Sequence, residues 1–301
     1  MHTTSGTSLP VRPVAPVAFA PVPPSGRAVA PAITHPAALA GTPADFPPGL
    51  ESVAPADEDA AWLHDALLGP HSADVVGYLR LARHCGGPVL DLGSGAGRLA
   101  VPLARQGFSV EAVDRDPACL ERLRTWGARI GPQVSRLLVT TRAELADLRL
   151  RRTYRLALLA GTMVSAVAPD ARPGLLREIA AHLEPGGALA LDYTAHRMRD
   201  LAREPRRAYA FQVPRFDGVE EWAAARQVFD LDGMSEHVTY HCVRTGRLST
   251  QRTVRSTRKW IVDPERLDAE LRAAGLRVER RRRHRLDERT ESVLLVCRAD
   301  G

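Results

Sequence analysis

The feature that most restricts the fold is a short apolar run, Val89-Leu90-Asp91-Leu92, that breaks at once into Gly93-Ser94-Gly95-Ala96-Gly97. With Gly86-Gly87-Pro88 ahead of it, the run reads as a buried parallel strand. Glycines at 93, 95 and 97 stand directly before a helical stretch, Leu99 to Arg105. Such spacing leaves bare backbone amides at a helix N-terminus, where a ligand can lie close to the main chain.

Downstream the pattern alternates. Ser109 to Asp114 reads as a strand, and Pro117 to Trp126 as a helix with Pro in its first turn and Gly127 as its stop. Val134 to Thr140 and Tyr154 to Gly161 are expected strands. Pro173 to Leu183 is an expected amphipathic helix, and Ala188 to Tyr193 a strand after the turn Glu184-Pro185-Gly186-Gly187. Upstream, Trp62, Leu63, Ala66 and Leu67, then Val75, Val76, Leu79 and Leu81, recur at helical spacing on either side of Gly69-Pro70, predicting two helices. The order predicts an α/β fold, a doubly wound, mostly parallel sheet covered by helices on both faces.

After Tyr193 the rhythm changes. Arg197 to Trp222 shows no period, whereas Gln227 to Trp260 reads as several strands with turns at Leu231-Asp232-Gly233 and Thr245-Gly246. Asp263 caps a helix from Pro264 to Ala274, and Leu276 to Leu286 with Glu291 to Arg298 close the chain as a hairpin. The expected division is a disordered Ala/Pro-rich leader over residues 1–50 and one domain over 51–301, within which residues 197–262 form an antiparallel β insert.

Four features join the glycine loop. Asp91 at the strand end suits a ligand's ammonium or a bound water. Asp114 ends the next strand about 20 residues on, where a carboxylate accepts both hydroxyls of a ribose. Gly161-Thr162-Met163 ends the fourth strand, and Glu184-Pro185-Gly186-Gly187 leads into the fifth. Arg98 stands where a dinucleotide fingerprint has its third glycine, so the spacing is GxGxG instead.

With these residues in order, the chain resembles the class I S-adenosylmethionine-dependent methyltransferases, of the kind found in bacterial small-molecule and natural-product pathways. Val89 to Arg98 is similar to that family's first motif, Val113-Asp114-Arg115-Asp116-Pro117 to its second, and Leu183 to Gly187 to the turn before its fifth strand. The resemblance implies a seven-stranded sheet and S-adenosylmethionine as cofactor. It places Gly93, Ser94, Gly95 and Gly97 at the methionine part, Asp114 at the ribose, Arg115 at the adenine face, and Thr162 and Met163 at the reacting centre. Where many relatives carry an acidic residue followed by a small apolar one, this chain has Thr141-Arg142-Ala143-Glu144, which leaves Arg142 and Ala143 at the adenine position.

Transfer from an activated sulfonium needs alignment more than a fixed triad. Acceptor-side candidates are Asp192, Tyr193, His196, Trp222, Tyr240 and His241, with His196 and Tyr193 the catalytic expectations; Tyr78 is a further candidate, as a cofactor lid. His237 and His241 lie four apart, about 13 Å along a strand, too far to share a metal, so no metal is expected. Arg280 to Arg285 is rich in arginine without interleaved aromatics and reads as a solvated edge strand, which disfavours nucleic acid as a partner. Four scattered cysteines, a net charge of +6 and the lack of an apolar run of about 18 residues fit a cytoplasmic protein with reduced thiols and no membrane span. The expected reaction is methyl transfer to a small molecule or peptide, nitrogen before oxygen. The alternatives are an RNA methyltransferase and a non-catalytic binding module.

Overall fold

A computed structural model of the chain describes residues 73–213, 220–245, 250–286 and 288–299. The expected leader and the first of the two upstream helices lie outside the described residues. The second is α1 (Ala73–Cys85). It leads into β1 (Val89–Leu92), α2 (Ala100–Arg105), β2 (Val110–Asp114), α3 (Pro117–Ile130), α4 (Pro132–Leu137), β3 (Leu138–Arg142), β4 (Tyr154–Leu159), α5 (Arg172–Ala181) and β5 (Leu183–His196). Then follow α6 (Met198–Arg203), β6 (Arg206–Val213), β7 (Glu220–Asp230), β8 (Ser235–Thr245), β9 (Thr250–Trp260), α7 (Pro264–Ala273), β10 (Leu276–Arg285) and β11 (Thr290–Ala299).

Seven strands form the main sheet in the order β10-β11-β5-β4-β1-β2-β3. The five from β5 to β3 pair in parallel, and β11 lies antiparallel to both β5 and β10. The chain winds outward from β1 through β2 to β3, then returns to β1's other side with β4. That reversal opens a crevice at the carboxyl ends of β1 and β4, where ligands of open α/β sheets bind. Side chains alternate between two covered faces, as the pleat requires. Leu90, Leu92, Leu159 and Leu191 pack against Leu175, Leu176, Leu267 and Leu271 of α5 and α7. Val89, Leu158 and Ala190 pack against Tyr78 and Ala82 of α1 and Val101 and Leu103 of α2. Beneath the sheet, the buried Arg172 donates to Glu270 at 3.2 Å, clamping α5 to α7.

Three expectations need correction. The third helix runs through Gly127 to Ile130 because Gly127 is a packing site and no stop: a Cβ there would sit 2.6 Å from Leu138 Cδ1. Val134 belongs to α4, a short helix opened by Pro132, so β3 begins only at Leu138. The stretch without period contains α6, β6 and the first three residues of β7, and the two strands are set by pairing with each other and not by any local pattern. The capped helix behaves as expected, with Asp263 Oδ1 accepting from Glu265 N–H at 2.9 Å.

Strands β6 to β9 form a separate four-stranded antiparallel sheet. One face carries buried Ala223, Ala225, Phe229, Val238 and Cys242. The other carries Trp222, 52% exposed, with His237 and His241. Phe229, Glu236 and Lys259 occupy one row across the buried face, each paired with the next. Among the described residues no helix is long and apolar enough to cross a membrane.

Candidate functional site

The glycine loop is held by its neighbours before any ligand is considered. Gly93 and Ser94 N–H groups both donate to the Val113 carbonyl of β2, at 2.8 and 3.0 Å. Gly93 and Gly97 take φ of 70° and 94°, and a side chain at either would collide. At Gly93 a Cβ would meet Met163 at 2.6 Å, and at Gly97 it would meet Leu123 at 2.8 Å and Val101 at 2.9 Å. Backbone alone fits between the two helices and the loop after β4.

Asp91, at 3% exposure, accepts a hydrogen bond from Ala100 N–H, while its Oδ2 finds no partner among the described residues. Burial pushes its carboxyl up to about 7, Asp114 adds to the rise and Arg98 opposes it. Arg98 is itself held by Asp74 of α1 at 2.5 Å. Ser94 Oγ is likewise buried with no partner among the described residues. A carboxylate with one satisfied oxygen, beside a glycine loop, is a fitted receptor for a small ammonium group. Asp114 spans the loop: Gly95 N–H donates to its Oδ2 at 2.8 Å and Asp116 N–H to its Oδ1 at 2.9 Å. Each oxygen keeps a lone pair for a hydroxyl, as a ribose requires.

The third wall is the loop after β4. Asp192 of β5 accepts from Gly161 N–H at 2.8 Å, Thr162 N–H at 3.0 Å and the Tyr78 hydroxyl at 2.7 Å. Burial pushes the Asp192 carboxyl up, against the lowering effect of those bonds. Thr162 is held at φ 62°, a left-handed conformation uncommon for a β-branched residue. Its hydroxyl accepts from Lys259 Nζ of β9 at 3.2 Å.

The structure thus brings Asp91, Gly93, Ser94, Gly95, Gly97, Arg98, Asp114, Gly161, Thr162 and Met163 together around the carboxyl ends of β1, β2 and β4. Arg142 is exposed at the end of β3 in register with Asp114, and Ala143 N–H donates to the Asp114 carbonyl at 3.1 Å. Arg115 is exposed and 3.9 Å from Glu144. These form an outer rim. His196 and Tyr193 do not come together. Tyr193, 1% exposed, lies in the core with α7, on the face of β5 opposite Asp192. His196 shares Asp192's side by strand alternation, and its ring meets Phe229 edge-on at 5.3 Å. Tyr240 lies on the buried face of the second sheet with Lys259, whereas Trp222 and His241 lie on the other. Tyr78 is buried, and its hydroxyl donates to Asp192, which braces the loop after β4. Sequence reasoning passed over Asp74 and Lys259. No local pattern marks Asp74; Lys259 is conspicuous as the chain's only lysine.

Comparison with known proteins agrees with this geometry. Residues 89–187 match the methyltransferase domain family. The cypemycin N-terminal methyltransferase of a Streptomyces species is 32% identical over 143 residues, covering 46% of this chain and 56% of that protein. The chain therefore matches little more than half the length of that curated relative. Among solved structures, Streptomyces venezuelae DesVI has a TM-score of 0.66 at 17% identity, covering 81% of this chain and 99% of that one. S-adenosylmethionine-bound CalS10, an amino pentose methyltransferase of calicheamicin biosynthesis from Micromonospora echinaspora, has a TM-score of 0.61 at 19% identity, covering 82% and 99%. The fold is the one these solved methyltransferases share, and the methyltransferase-domain match falls on the segment that carries the glycine loop. An ammonium and the two hydroxyls of a ribose, both of which S-adenosylmethionine carries, fit the cradle of Asp91 and Asp114.

Proposed function

We propose that the protein methylates a small-molecule or peptide natural product, at nitrogen before oxygen. The observation that carries the methyl-transfer reading is the cradle itself: a buried, half-satisfied Asp91 beside an amide-lined loop, with Asp114 across it. When bound, S-adenosylmethionine supplies a methyl group already activated on sulfur. The chain's own residues then have to hold, align and exclude water. Asp91 and the glycine loop hold the amino-acid end, Asp114 the ribose, and Arg115, Arg142 and Ala143 the rim beside the base. Residues 197–262 act as the substrate cover, since the buried face of their sheet reaches the loop after β4 through Lys259 and the end of β5 through Phe229.

Nitrogen is preferred because an amine needs only to be uncharged and in line, whereas a hydroxyl needs a base. His196 is the proton acceptor proposed for that role should the acceptor require one. The relatives support the choice, as one is named for a peptide N-terminus and another for an amino sugar. An RNA acceptor is less well supported, because arginines of the terminal hairpin are engaged locally. Arg281 binds Asp268 at 2.6 Å, Arg283 lies 3.8 Å from Glu291, and Arg298 binds Glu279 at 3.0 Å.

Calorimetry of the full chain with S-adenosylmethionine and S-adenosylhomocysteine tests the reading. Micromolar binding is expected, and its absence would overturn the assignment. A steep fall of RNA affinity with salt would instead favour the nucleic-acid alternative.

A further inference from the structure

Lys259 is the single lysine of a chain whose lysines and arginines total 41. It stands on the last strand of the four-stranded sheet, half-buried, in the row that also carries Glu236 and Phe229. Its Nζ lies 3.2 Å from Thr162 Oγ1. Thr162 is gripped from the other side by Asp192 through its own N–H. The next residue, Met163, fills the space that a side chain at Gly93 would need. A chain of direct contacts therefore runs from β9 through Thr162 and Met163 to the glycine loop.

We propose that Lys259 is a positioning residue for methyl transfer, clamping the four-stranded sheet onto the loop after β4 so that docking of that sheet and cofactor binding reinforce each other. The inference rests on the cofactor reading above. An ammonium suits the task because it is compact and offers three donors, where a guanidinium would present a wide planar fork. One donor holds Thr162. Because coupling between sites is reciprocal, whatever holds the clamp closed tightens the cofactor, and the cofactor tightens the clamp.

The test uses S-adenosylhomocysteine alone, on the full chain. Lys259→Met and Thr162→Val should each weaken its binding about fivefold, the value of one ordinary hydrogen bond. The double variant should be no weaker than either single one, because both remove the same bond. Thr162→Ser should recover most of the affinity, and Lys259→Arg, with its wide planar fork, little of it. A second readout exploits the lone lysine: acylation of Lys259 by an amine-directed reagent, followed by peptide mass, should slow when S-adenosylhomocysteine is added to wild type. In Thr162→Val that protection should be lost. Additive losses, affinity unchanged in both single variants, or acylation indifferent to S-adenosylhomocysteine would each overturn the clamp. Lower melting temperature with intact affinity would do the same. Failure of wild type to bind at all would instead strike the cofactor reading, so the two failures are told apart.

Discussion

Replacing Asp91 by asparagine separates charge from shape at the centre of the site. In the protein alone, burial lifts this carboxyl from its ordinary 3.8 to about 7, and at 3% exposure solvent screens little of the effect. That difference corresponds to about 4 kcal/mol against the ionised form. The sign follows from proton counting. Between pH 4 and 7 the native state holds a proton that the unfolded chain has released, so stability falls as pH rises through that window and levels off above it. A ligand ammonium reverses the preference, since it binds the carboxylate. With a pKa near 7, roughly one tenth of Asp91 is ionised at pH 6 and nine tenths at pH 8, so S-adenosylhomocysteine should bind about tenfold more tightly at pH 8. Calorimetry in two buffers of different ionisation enthalpy should show nearly one proton released at pH 6 and almost none at pH 8. Asp91→Asn should bind about 10- to 100-fold more weakly at pH 8, as expected for a lost charged hydrogen bond. Its affinity should no longer depend on pH, and its stability should decline less than that of wild type from pH 4 to 7, with the raised carboxyl of Asp192 accounting for what remains. Wild-type binding that is flat from pH 6 to 8, or a variant that keeps the wild-type slope, would refute the reasoning.

Other consequences are simpler to measure. Asp114→Ala should cost about 1.5–3 kcal/mol of cofactor affinity, read by the same calorimetry, because both the ribose contact and the bracing of Gly95 are lost. Gly97→Ala and Gly107→Ala both impose a left-handed alanine, at φ 94° and 92°, but only the first drives a Cβ into Leu123 and Val101. Denaturant titration should show about 2–4 kcal/mol lost at Gly97 against about 1 at Gly107, and equal losses would argue against close packing as the reason for Gly97. Arg172→Met leaves Glu270 buried with Arg266 as its remaining partner and should lower stability by about 3 kcal/mol. Adding Glu270→Met should recover part of that loss, which urea unfolding can resolve.

Much of the catalytic half was legible because its signals are local. A four-residue strand that carries Asp91, three glycines at alternate positions and a carboxylate at the next strand end are properties of a short piece of chain. They imply the parallel sheet, the crevice and the cradle of loop amides and carboxylates together. The helix cap at Asp263 and the closing hairpin were local in the same sense. Gly127 was misread for the opposite reason: a glycine late in a helical pattern looks like a stop, and only the approach of Leu138, brought in by β3, shows that it makes room.

What the amino-acid sequence determined by itself was the α/β architecture and the glycine-loop cradle at the end of its first strand, because both depend on hydrophobic period and on backbone freedom at glycine. What only the tertiary structure decided was which side chains meet that cradle from outside its own segment. Strand alternation sent Tyr193 into the core and left His196 on Asp192's side. Sheet register put Lys259 in line with Phe229, and folding brought it to Thr162, 97 residues away in the chain. Such long-range meetings depend on strand pairing and layer packing, and no short window of sequence contains them.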